Sequence, residues 1–210
     1  LKDKINDNWN SLNILSTNAS TVGSYDLGIF SSNNGKNLTL EKIKKNKFEI
    51  LFLFGQEDLK FKKINEFIIY VGSHGDRGAE IADVILPGVA YTEQDGYFTN
   101  LEGKVQKAYK ASYPPGEAKE DWLIINELSA LIKRNSLYSN KNELISSMFN
   151  YLKLHKQKND FQIPNYEFFD EKITVDKIDY YHSNSIARAS KTMNECKNIR
   201  VNLKKTGTEG

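Results

Sequence analysis

A chain of 210 residues, 39% hydrophobic and 11% aromatic, carries enough apolar mass for a folded core, which excludes wholesale disorder. Its 29 basic and 27 acidic residues leave a formal net charge of +2, without the concentrated positive charge of a dedicated nucleic-acid or membrane-surface binder. Cys196 is the sole cysteine, so this chain alone holds no internal disulfide, iron–sulfur cluster or cysteine-based zinc site, and a reducing, intracellular setting is expected. No apolar run approaches the roughly 18 residues of a membrane span. No signal or transit peptide is visible, and the chain opens on Leu1, as expected of a piece of something longer.

In chain order, LNILST (12–17) reads as a short strand, and ASTVGSYDLGIF (19–30) as a loop or irregular helix. SSNNGKN (31–37) is a turn, after which Leu38, Leu40 and Ile43 form a weak helical stripe. FEILFLFG (48–55) is almost wholly apolar, which suits a strand buried on both faces of a parallel sheet. EFIIYVG (66–72) follows after about a dozen residues, enough for a minimal right-handed crossover. DRGAEIA (76–82) then makes a short helix, and DVILP (83–87) a third buried strand stopped by Pro87. Strand, helix and strand in alternation predict an open, mostly parallel α/β sheet.

A hairpin over 96–111 turns at Glu102-Gly103, and YPPGEA (113–118) stops the chain and restarts it. A helix over 117–133 sets Trp122, Ile125, Leu128, Leu131 and Ile132 on one face; a second, over 140–154, aligns Leu144, Ile145, Met148, Phe149 and Leu152. Beyond that the apolar period decays, and the chain is expected to run extended over other surfaces. The organisation predicted is an α/β portion over 1–112, a helical segment over 113–158 and an extended tail over 159–210. Phe161, Tyr166, Phe168, Phe169, Tyr180 and Tyr181 would anchor that tail on the main domain or a neighbour.

Several residues invite a chemical reading. Gly72, Gly75 and Gly78 lie between a strand and a helix, where backbone N–H groups receive phosphates, but the spacing is neither that of a dinucleotide fingerprint nor of a P-loop. A tight strand-to-helix turn is the commoner reason for such glycines. His74 has the titration range of a general base, yet no serine or cysteine nucleophile with an orienting partner is apparent around it. His155 and His182 lack ligand spacing. Glu93, Asp95 and Glu102 resemble paired carboxylates, though in a loop and hairpin rich in Gly, Thr and Asn such groups more often satisfy backbone N–H groups. Asp83 reads as a cap or turn residue, Cys196 as an inert thiol. The lysines at 42, 44, 45, 47, 153, 156 and 158 read as solvated faces.

The stretch ADVILPGVAYTEQDGYFTNLEGKVQ (82–106) resembles a pattern of the molybdopterin-type oxidoreductases. Ala82, Asp83, Val84, Leu86, Pro87, Glu93, Gly96, Asn100, Glu102, Gly103 and Gln106 match it, and Lys104 stands where Arg is usual. WNSLNILSTNASTVGSYDLG (9–28), FIIYVGSHGDRGAEIADVILPG (67–88), YPPGEAKEDWLIINELSALI (113–132) and DYYHSNSIARASKTMNEC (179–196) resemble successive pieces of one branch of it. That branch is the family of the large hydrophilic 75 kDa subunit of respiratory complex I, the mitochondrial NADH:ubiquinone oxidoreductase. The resemblance runs collinearly from residue 9 to about 198.

It implies a partial domain of the molybdopterin-oxidoreductase fold that has lost its cofactor, with no catalytic, cofactor-binding or metal-binding residue in this chain. Iron–sulfur clusters would be held by an N-terminal portion of the subunit, which another chain supplies if the gene is split. Other peripheral-arm subunits would be the remaining partners, on the matrix side of the mitochondrial inner membrane or the cytoplasmic face of a bacterial one. No nucleic acid and no direct membrane span are expected. Against this stand a working molybdopterin oxidoreductase fragment, binding a guanine dinucleotide cofactor near 72–78 and 93–103, and a regulatory nucleotide site at 71–80.

Overall fold

The structure, a computed structural model, describes residues 15–16, 18–29, 32–33, 36–37, 42–43, 45, 47–55, 61–75, 77–133, 135–156 and 179–205. The expected strand at 12–17 therefore lies largely outside the described residues, as do four of the six tail aromatics, Phe161, Tyr166, Phe168 and Phe169.

A three-stranded parallel sheet forms the centre. It is built from β3 (Ile50–Phe54), β4 (Phe67–Gly72) and β5 (Val84–Pro87), in the order β3-β4-β5. Register is fixed by pairs such as Phe52↔Ile69 and Ile69↔Val84. The β-branched and aromatic residues of ILFLF and FIIYV suit pleated strands. Both connections cover the same face. Phe61 from the first, and Ala79, Ile81 and Ala82 from the second, pack on Leu53, Ile68 and Tyr70. Two successive crossovers that advance in one direction and share the usual right hand of such connections place both on one face. The short helix α2 (Arg77–Glu80) belongs to the second connection.

Burial of these strands on both faces is not what the structure has. Ile50, Phe52, Phe67 and Val84, which share the other face by register, are all exposed. The reason is topological: one layer of crossovers covers one face only.

A second group of elements surrounds an antiparallel hairpin, β6 (Gly96–Thr99) and β7 (Val105–Ala108). Gly103, with φ of 78°, makes the turn where the sequence placed it, in backbone space that favours glycine. Helix α1 (Thr21–Asp26) packs on β6, where the Thr99 hydroxyl donates to Asp26 Oδ2 at 3.0 Å. Helix α4 (Lys141–Lys156) joins them through an edge-to-face contact of Phe149 with Tyr97, 5.3 Å between ring centroids. A small antiparallel pair, β1 (Ser32–Asn33) with β2 (Lys36–Asn37), occupies the expected turn.

Helix α3 (Asp121–Lys133) begins four residues later than its sequence pattern suggested. Ala118 N–H closes a turn onto Pro115, and Lys119 N–H donates to the Pro87 carbonyl at 3.0 Å, so the chain runs beside the end of β5 before it can coil. The α3–α4 loop is pinned by Asn126, whose Oδ1 accepts from the N–H groups of Leu137 and Tyr138. The start of α4 is capped reciprocally: Asn140 Oδ1 accepts from Glu143 N–H, and Glu143 Oε2 from Ser139 N–H.

The described part of the tail is not extended. It forms α5 (Ser185–Ala189) and α6 (Lys191–Lys205). Short polar residues start both helices. Asn184 accepts from Ala187 N–H at 2.9 Å, and Ser190 Oγ from Met193 N–H at 3.4 Å. The apolar stripe by which helices are usually read is weak here, so the caps were the only available signal.

Candidate cofactor-binding segment

The glycine-rich loop after β4 is shaped by its own core. The Tyr70 ring, fully buried, folds back beneath the loop, and its hydroxyl donates to the Gly75 carbonyl at 2.9 Å. A Cβ at Gly72 would lie 2.1 Å from that hydroxyl oxygen. Gly75 takes a φ of 82°, and Gly78 is buried in α2. Close approach, a left-handed turn and packing thus account for the three glycines in turn. His74 is exposed, with Nδ1 at 2.8 Å from Ser73 Oγ, and no nucleophile–base–orienter arrangement surrounds it among the described residues.

The polar residues of 83–104 turn inward onto backbone. Asp83 Oδ2 accepts from the N–H of Ile68, a fully buried residue, at 2.8 Å and from Lys63 Nζ at 2.5 Å. The Ile68 N–H, seconded by Lys63, holds its carboxyl below the ordinary range. Glu93 Oε2 accepts from Ala90 N–H at 2.9 Å, while Glu93 N–H donates to the Ala90 carbonyl. Asp95 Oδ1 accepts from Lys110 N–H at 2.9 Å, and its other oxygen faces Lys107 at 3.4 Å. The Lys110 N–H, and after it the Lys107 ammonium, pulls this carboxyl down as well. Asn100 Oδ1 accepts from the N–H groups of both Glu102 and Lys104, closing the hairpin turn. Glu102 and Lys104 are exposed.

These groups do not converge. The carboxylates of Glu93 and Asp95 engage separate backbone N–H groups, and Glu102 is exposed at the hairpin turn. The lowered carboxyls of Asp83 and Asp95 are shifted in the wrong direction for a general acid. Asp121, at the first turn of α3, is by contrast pushed up by burial and by the neighbouring Glu120.

His182 lies in another cluster, with Nδ1 at 3.1 Å from Lys197 Nζ and 3.9 Å from Asp179 Oδ2. The Lys197–Asp179 pair at 2.6 Å holds α6 against the loop before α5 and lowers the Asp179 carboxyl. Cys196 is half-buried in α6, and His155 falls in α4. Among the described residues no three His, Cys, Asp or Glu side chains form a metal-ligating group. Sequence reading missed Tyr70, Lys63 and Asn126. Tyr70 was hidden in an apolar run, and the other two act across chain separations that no local pattern encodes.

A parallel sheet with one layer of crossovers, followed by a polar hairpin, is the arrangement against which comparisons with known proteins can be set. The family model described as Molybdopterin oxidoreductase matches residues 1–131, and the chain belongs to that family. Its relatives specify the branch. The chain is 39% identical over 205 residues to the NADH-ubiquinone oxidoreductase 75 kDa subunit of Reclinomonas americana, covering 91% of this chain and 29% of that protein. It is 38% identical over 216 residues to an NADH-quinone oxidoreductase subunit of Rickettsia bellii, covering 98% and 30%. Against the mitochondrial NADH-ubiquinone oxidoreductase 78 kDa subunit of Candida albicans it is 43% identical over 132 residues, covering 62% and 17%. The chain is therefore homologous to a region of the complex I 75 kDa subunit and its bacterial counterparts, and spans less than a third of their length. Among the described residues no helix is long and apolar enough to cross a membrane.

The cofactor named by the family finds a poor fit in this segment. The phenol of Tyr70 fills the space beneath the glycine loop, and Asp83, Glu93, Asp95 and Asn100 are committed to backbone N–H groups.

Proposed function

We propose that this chain is a structural, C-terminal portion of the complex I 75 kDa subunit. It completes the peripheral-arm domain that supports electron transfer from NADH to ubiquinone, and it has no redox site of its own. The commitment of the polar residues of 83–104 to their own backbone carries this reading. A segment patterned like a cofactor shell is used here to hold a strand end, a loop and a hairpin in place. Its iron–sulfur clusters would belong to the remainder of the subunit, in the same polypeptide or a separate one. Assembly would place the chain on the matrix side of the mitochondrial inner membrane, or on the cytoplasmic face of a bacterial one.

Native electrophoresis of detergent-solubilised membranes, with mass spectrometry of the NADH-oxidising band, tests the assignment. Peptides of this chain should appear in that band together with peptides of a cysteine-rich chain or segment. Migration of this chain elsewhere would overturn the reading.

A further inference from the structure

The outer edge of the hairpin is basic and aromatic. Residues 104–113, KVQKAYKASY, hold three lysines, two tyrosines and no acidic residue. All but Val105 are exposed, Tyr109 at 75% and Tyr113 at 81%. The ammonium of Lys107 stands 4.6 Å from the centre of the Tyr109 ring, and that of Lys110 stands 4.5 Å from the centre of the Tyr113 ring. Lys107 also faces Asp95, but among the described residues no carboxylate pairs with Lys104 or Lys110. Among the described residues β7 pairs with β6 alone. Lysines on an edge strand discourage pairing with apolar strands and favour an acidic segment opposite.

The chain contains the complementary stretch. Residues 160–171, DFQIPNYEFFDE, hold Asp160, Glu167, Asp170 and Glu171 with no Lys or Arg, interleaved with Phe161, Tyr166, Phe168 and Phe169. They lie outside the described residues, between Lys156, which ends α4, and Asp179. Helix α4 itself rests on the hairpin. Phe149 meets Tyr97 edge to face, and Tyr97 is the register partner of Lys107, so the two share one face of the hairpin. Leu152, a turn further on, is buried. Helix α4 therefore delivers the chain beside the hairpin, about 10 Å past Phe149. From Lys156 the chain to Glu167 can span up to about 36 Å, several times the ~5 Å between paired strands. Such a tether makes the encounter intramolecular, an advantage that no separate partner has.

We propose that the hairpin edge at 104–113 is the seat of the chain's own stretch 160–171. The carboxylates of that stretch meet Lys104 and Lys110, and its rings lie against Tyr109 and Tyr113. Opposite charges select the placement, and burial of the rings supplies the hold.

Photo-crosslinking of the full chain in the cells that express it tests this, with p-benzoylphenylalanine replacing Tyr109 in one variant and Tyr113 in another. Both tyrosines are exposed, so neither replacement disturbs a core. Leu131, 81% exposed on α3, serves as the control position. Both hairpin positions should crosslink to peptides within 160–171 of the same chain, and the control should not. Lys104→Glu combined with Lys110→Glu should lower the yield from position 109 several-fold, and adding Asp170→Lys with Glu171→Lys should restore it. Crosslinks to another subunit, to a second copy or elsewhere in this chain would overturn the inference. So would the absence of a crosslink from both positions, or a yield indifferent to the lysine reversal. None of these outcomes bears on membership of the complex I subunit.

Discussion

Replacing Gly72 by alanine asks whether the glycine loop is shaped by the core or kept open for a ligand. The new Cβ would lie 2.1 Å from the Tyr70 hydroxyl oxygen and 2.4 Å from the ring carbon bearing it, where ordinary contacts begin at 3.4 Å. Tyr70 is fully buried, so its ring must move by about 1 Å inside a closed core, an overpacking that costs about 1–3 kcal/mol. Drawing the hydroxyl away from the Gly75 carbonyl costs about 0.5–1.5 kcal/mol more. Together about 2–4 kcal/mol is expected, a large share of the ~5–15 kcal/mol of a typical domain. Pulse proteolysis across a urea series, performed on the chain within its assembly, reads the loss directly. The cost should fall well below this in a Tyr70→Leu background, because the two residues are in contact and their effects are non-additive. A Gly72→Ala variant costing under about 0.5 kcal/mol in the parent would refute the packing explanation and restore the case for an open phosphate-binding loop.

Further outcomes follow from other contacts. Leu53, almost fully buried, should cost about 2–5 kcal/mol as Leu53→Ala by the same urea assay. Asn184→Ala should cost about 1 kcal/mol locally, seen as faster amide hydrogen exchange over Ser185–Ala189, with Asn184→Gly intermediate. Asp83 and Asp95 both have folded pKa values below the ordinary 3.8, so each supplies stability that is present above 3.8 and lost as pH falls through the lower folded value. Stability to urea should therefore fall in the parent below about pH 4, and a flatter profile is expected for Asp83→Asn and Asp95→Asn. An unchanged profile in both variants would remove the carboxylate–backbone contacts from the account.

The central strands were legible because their sequences are apolar runs bounded by glycine and proline, a pattern set by local pleat and turn chemistry. What the runs could not convey is which face would be covered. ILFLF reads as doubly buried, and the structure leaves Ile50 and Phe52 open because burial depends on the direction of the crossovers and on chain outside them. The hairpin turn at Gly103 was readable from a single residue's backbone preference. The delayed start of α3 was not, since Lys119 is held by Pro87, a contact across more than thirty residues of chain. The tail helices were missed for the opposite reason. They are begun by the side chains of Asn184 and Ser190, and the apolar stripe used to find helices carries little weight there. The segment 82–106 was readable as part of the molybdopterin-oxidoreductase family through resemblance alone. The roles of its carboxylates became physical only when Ile68, Ala90 and Lys110 N–H groups were found opposite Asp83, Glu93 and Asp95.

The claim that this chain supports a redox assembly without holding a redox centre is tested most directly by metal analysis of the NADH-oxidising complex purified through this chain. Iron should be recovered with the complex, and molybdenum and tungsten should stay at background relative to the chain. One molybdenum or tungsten per chain would contradict the account and make the 72–103 region a working cofactor site.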